Sequence, residues 1–146
     1  MTATMAQISD FPARGRLLLV EAGKVSFQPT ATNYELHLQV PADFAGPVGA
    51  LVDGLIRVNG RKVYSVPSGG NFVSPIFGPP KIIQGRVKFA DAKQLVVQAG
   101  VPIVVELPGD DSAVDLHSGA IGVGMLVNVV ALPGAKFELV GAAVGK

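Results

Sequence analysis

The sequence predicts an all-β protein made of two tandem five-stranded small-barrel units packed together. Three observations point there. Residues 15–66 and 85–140 can be laid on one another with small gaps, so one unit is present twice. The clearest segment, Tyr34-Glu-Leu-His-Leu-Gln-Val40, alternates apolar and polar side chains without a break, the two-residue period of a half-buried strand. Eighteen glycines and eleven prolines in 146 residues punctuate the chain too often for long helices.

Residues 1–14 read as a leader. In the first unit, 15–66, strands are expected at Arg16–Val20 and Lys24–Gln28, joined by Glu21-Ala22-Gly23, and then at Tyr34–Val40. Pro41 ends that third strand because it has no N–H for the ladder. A loop of about ten residues, with one helical turn expected near Phe44–Leu51, leads to Leu51–Val58. Asn59-Gly60 then signals a two-residue hairpin returning as Arg61–Val66.

The second unit lies within 81–146. At an offset of 70, Gly15-Arg16 falls on Gly85-Arg86, Ala22 on Ala92 and Gln28 on Gln98. Its strands are expected at Arg86–Ala90, Gln94–Gln98 and Val101–Leu107. The last keeps the phase of Tyr34–Val40 but carries Pro102, Val104 and Glu106 on the polar side, and so predicts either deeper burial or an interface. Gly49-Ala50 is matched to Gly119-Ala120 and Gly54 to Gly124. A second helical turn is expected near Ser112–Ser118, capped by Asp111 or Ser112. Met125–Leu132 is then expected to turn at Pro133-Gly134 into Lys136–Val140.

Five short strands with a longer connection between the third and fourth resemble the OB-fold, a small closed barrel; an SH3-like barrel, or one barrel assembled from both units, gives much the same pattern. That resemblance covers each unit as a strand pattern, and it implies binding on a barrel face, with single-stranded nucleic acid as one ligand class.

Residues 67–80 join the units as a Gly/Pro-rich connector that carries Phe72, Val73, Ile76 and Phe77 among its turn residues. Exposed, these four form an apolar interface that needs a partner; buried, they pack between the units. The fraction of hydrophobic residues is 49% and of charged residues 16%, where about a quarter is usual. Much apolar surface must therefore be hidden, between units and between chains, and a homo-oligomer is expected.

Net charge is +1 and evenly divided, so no strong field points to nucleic acid or membrane. There is no cysteine, which excludes disulfides and thiol chemistry and fits the cytoplasm. No uncharged apolar run reaches the roughly 18 residues of a membrane helix. No motif implies a cofactor.

Two clusters offer chemistry. Arg57, Arg61, Lys62 and Tyr64 combine cations for phosphates with a ring for base stacking, and Lys62 and Tyr64 should share a face. Asp110, Asp111, Asp115 and His117 offer oxygen and nitrogen ligands to a divalent metal, though not at calcium-loop spacing. His37 reads as a solvated strand residue. No nucleophile elbow or phosphate loop is present, and the candidate acids, bases and nucleophiles do not converge. The expected function is a non-catalytic binding and self-assembly module. The alternatives are a single-stranded nucleic-acid binder and a metal-dependent enzyme.

Overall fold

The computed structural model describes residues 10–91, 93–107 and 121–140. These are all-β, with no α-helix among them. Eleven strands follow in order: β1 (Ala13–Glu21), β2 (Lys24–Pro29), β3 (Glu35–Gln39), β4 (Leu51–Ser65), β5 (Phe72–Ser74), β6 (Phe77–Gly78), β7 (Ile82–Ala90), β8 (Gln94–Gln98), β9 (Pro102–Glu106), β10 (Leu126–Ala131) and β11 (Lys136–Leu139). No helix of the described residues is long and apolar enough to cross a membrane.

Two antiparallel meanders frame the molecule, β1-β2-β3 and β7-β8-β9, and their registers recur. Arg16 pairs with Gln28 and Leu17 with Phe27; 70 residues later Arg86 pairs with Gln98 and Val87 with Val97. Both first hairpins shift register at the same step, between Leu17 and Leu19 and between Val87 and Phe89. The alternation read in Tyr34–Val40 holds: Tyr34, Leu36 and Leu38 are buried. In the second meander Ile103, Val104 and Val105 are all buried, so of the two outcomes expected there it is deeper burial that holds.

The recurring contacts also place Gly49 differently from its expected match. The Gly49 N–H donates to the Leu17 carbonyl (2.7 Å), and the Gly124 N–H donates to that of Val87 (2.8 Å). Arg16 and Arg86 reach back to the carbonyls of the same two glycines, at 2.6 and 3.0 Å. Both glycines have positive φ, 84° and 93°, which side chains with a Cβ rarely adopt. Gly49 therefore corresponds to Gly124, not Gly119, and Asp53 to Asn128. Val48-Gly-Ala-Leu-Val-Asp53 returns as Val123-Gly-Met-Leu-Val-Asn128 at an offset of 75. The extra residues of the second half fall before this motif, in the connection after β9.

Neither expected late hairpin forms. β4 runs straight through Asn59-Gly60 as one strand of 15 residues. Its first half pairs with β1 and β11, and its second with β10 and, at Arg57–Asn59, in parallel with β9. β10 and β11 do not return on each other but lie on opposite halves of β4. Long-range pairing on both edges thus overrides the local turn preference of Asn-Gly. The helical turn near Phe44–Leu51 is also absent; residues 41–50 run through turns that Pro41, Gly46, Pro47 and Gly49 favour. The turn expected at Ser112–Ser118 lies outside the described residues.

One circuit of pairings, β7-β8-β9-β4-β10, closes on itself as a ring of five strands. A second circuit, β1-β2-β3-β11-β4, closes through a thinner contact: the Lys136–Gln39 pair and a bond from the Gln39 N–H to the Ala135 carbonyl (2.8 Å). Each circuit thus takes a strand from the other half of the chain. The core follows this exchange, since buried residues of both halves share the main cluster, beside a smaller one of Leu55, Val96 and Val104. Phe137, from the end of the chain, lies 4.8 Å from Phe27 and 6.2 Å from Phe44, ring to ring.

Candidate functional site

The connector is folded onto both halves. β5 pairs antiparallel with β7, and β6 pairs in parallel with β3. Tyr34 anchors it: the hydroxyl accepts the Val73 N–H (3.2 Å) and donates to the Ala99 carbonyl (3.4 Å). The alternation of β5 then sends Val73 into the core, 1% exposed, and Phe72 outward, 37% exposed. Ile76 and Phe77 also face outward, at 49% and 61%. Of the four apolar connector residues, three are presented and Val73 is a core residue. His37 is half-buried rather than freely solvated, and its ring forms a T-shaped pair with that of Phe77, centre to centre 4.9 Å.

The four residues of the basic cluster separate into two groups. Arg57 lies at the crossing of β9, β4 and β11, where it donates to Glu138 (2.6 Å) and Glu106 (2.8 Å). Gln94 donates to the same Glu106 carboxylate (3.0 Å). Burial disfavours the Arg57 charge, but the hydrogen bonds and charges of Glu138 and Glu106 outweigh it and raise the pKa above the ordinary arginine range. A raised pKa gives stability that is complete below the unfolded value and is lost only as pH climbs through the folded one. Arg57 therefore stays paired across the whole physiological range and holds strands together.

Arg61, Lys62 and Tyr64 remain on the second half of β4. Lys62 and Tyr64 do share an outward face, with the Lys62 ammonium 5.8 Å from the Tyr64 ring centre. Tyr64 is the first of a row crossing four strands, since it pairs with Asn128, Asn128 with Gln84, and Gln84 with Phe72. The side chains follow the backbone. Gln84 Nε2 donates to Asn128 Oδ1 and Asn128 Nδ2 to the Tyr64 hydroxyl, both at 3.1 Å. Three strand spacings separate the two aromatic ends by roughly 14 Å. The row therefore joins a residue of the basic cluster, Tyr64, to one of the connector, Phe72, through two amides that sequence reading passed over. The return of Leu-Val-Asp as Leu-Val-Asn was the available signal for Asn128.

Asp110, Asp111, Asp115 and His117 lie outside the described residues. Among the described ones, no group of three or more histidine, aspartate or glutamate side chains is placed to hold a metal ion.

Comparison with protein-family models, curated proteins and solved structures finds no match to this chain.

Proposed function

We propose that this protein is a non-catalytic β-sheet module that works by binding and self-association. Its contact surface is the connector 67–80 with the adjoining outward face of β4. The observation that carries this reading is the state of Phe72, Ile76 and Phe77, which are fastened to the sheet by β5 and β6 yet remain substantially exposed. Side chains held by a paired backbone lose less entropy on docking than those of a free loop. Three large apolar side chains exposed on one short connector, in a chain with 16% charged residues, are the kind of surface that a second copy covers. The recurring registers support descent of the two halves from one duplicated unit, each a five-stranded OB-like small barrel completed by a strand of the other.

Light scattering after gel filtration, at low and high salt, tests it. The expected result is an oligomer of unchanged mass at both salts, reduced to monomer by Phe77→Asp with the circular dichroism spectrum retained. A wild-type monomer under both conditions sinks the reading.

A second reading, single-stranded nucleic-acid binding, is favoured by one observation: Lys62 over the Tyr64 ring, on a face continuous with Phe72. Adding a mixed oligonucleotide to the same runs separates the two. A complex at low salt that dissolves at high salt supports nucleic acid, because binding to phosphates releases counterions.

A further inference from the structure

A groove of about 440 Å³ runs between Pro79-Pro80 and Ala131–Gly134, with Ile82 and Val130 on its apolar floor. At Gln39, Pro79 and Gly134 it meets a second hollow of about 200 Å³ that extends to His37 and Lys24. Among the described residues no carboxylate lines either hollow, while Lys81 lines the first and Lys24 the second. Lys24 has only an exposed contact with Glu21 at 3.9 Å, and Lys81 makes no ion pair among the described residues. The site is thus an open apolar trough with a cation in each of its two parts.

The recurring registers locate the same place on the other half of the molecule. Asp53 corresponds to Asn128, so Leu55 corresponds to Val130; Ser26–His37 corresponds to Val96–Val104, and Leu19 to Phe89. There the trough is full. Leu55, Val96 and Val104 are buried beneath Phe11, Phe89 and Val140, with the Phe11 and Phe89 rings 6.2 Å apart. At the offset of 70 that relates β1 to β7, the residue matching Phe11 is Lys81. One half supplies its own aromatic plug; the other has a lysine at that position and leaves Ile82 and Val130 only half-buried.

We propose that the groove beside Pro79-Pro80 is a docking site for an extended acidic peptide segment bearing an aromatic side chain. The ring takes the place on the floor of Ile82 and Val130 that Phe11 takes on the opposite half, and an adjacent carboxylate faces Lys81. The protein's own plug has this composition, Asp10-Phe11-Pro12. The two hollows adjoin at Gln39, Pro79 and Gly134, which suits an extended chain lying across both. The residues that carry it, Lys81, Ile82 and Val130, are not the exposed Phe72, Ile76 and Phe77 of the proposed self-association surface, although Pro79 and Pro80 belong to the same connector, so the Phe77→Asp variant tests the two readings separately.

The test uses the full chain and a fluorescein-labelled peptide, Asp-Ser-Asp-Phe-Pro-Ala, read by fluorescence anisotropy. Saturable binding is expected, weakened about fivefold or more by Lys81→Glu, the size of a lost charge contact of about 1 kcal/mol. Peptides with both aspartates replaced by lysine, or with phenylalanine replaced by alanine, are expected to bind more weakly by a similar factor. Amide shift changes should centre on residues 79–82 and 130–135. Absence of binding overturns the proposal, including absence because a second copy covers the groove. So does equal affinity for the lysine peptide, an unchanged affinity in Lys81→Glu, or shifts that map elsewhere.

Discussion

Gly15 and Gly85 occupy the place where β1 and β7 change partners, and each lies against the strand it leaves. A Cβ on Gly85 would collide with the Gln98 carbonyl, and one on Gly15 with that of Gln28. The obstacle is backbone, which cannot rotate aside as a side chain can. Gly85→Ala is therefore expected to lower stability by about 2 kcal/mol or more, the upper range of overpacking costs, by urea denaturation. A loss below about 0.5 kcal/mol would show that the strands part without strain. Repetition of the Gly-Arg pair in both halves is visible in the sequence. The partner of the arginine was not legible. Arg16 and Arg86 are fastened to the carbonyls of Gly49 and Gly124, and the match of Gly49 to Gly119 hid that equivalence. Small residues are common enough here that a two-residue match at one offset competes with a six-residue match at another.

The strands that could be read from the sequence are those whose partners are close in the chain. β1, β2 and β3, and likewise β7, β8 and β9, follow one another through short turns, and their alternation names the buried face. β4 defeated local reading because Asn59-Gly60 carries the strongest short-range turn signal in the chain, yet β9, β10 and β11 pair along it. β5 and β6 were hidden by their brevity among prolines and glycines, although the apolar residues that they carry were noticed. Of the proposed contact surface, Lys62 and Tyr64 were legible by period two. Their continuation through Asn128 and Gln84 was not, because period two fixes a face and says nothing of the neighbouring strand. β11 offers a direct check on the exchange. Phe137 belongs to the last strand but is packed among the core residues of the first meander, so Phe137→Ala is expected to cost about 3–5 kcal/mol. Methyl or aromatic shift changes should appear around Phe27 and Phe44 rather than in β8 and β9; the reverse pattern would contradict the exchange.

At the scale of the whole molecule, the two circuits share β4 and the main core, so neither half has a separate interior to lose. Differential scanning calorimetry is expected to show a single transition whose van't Hoff and calorimetric enthalpies agree, measured on the Phe77→Asp variant to remove any association step. Two resolved transitions would mean that the halves unfold separately. The exchange of strands also sets an order of events during synthesis. Proteins emerge from the ribosome N-terminus first, and domains generally fold as they appear. Here the circuit that begins at Ala13 closes only with Lys136–Leu139, which is made after every other strand described. The first meander must therefore keep Phe27 without the ring of Phe137 against it until β11 has been translated.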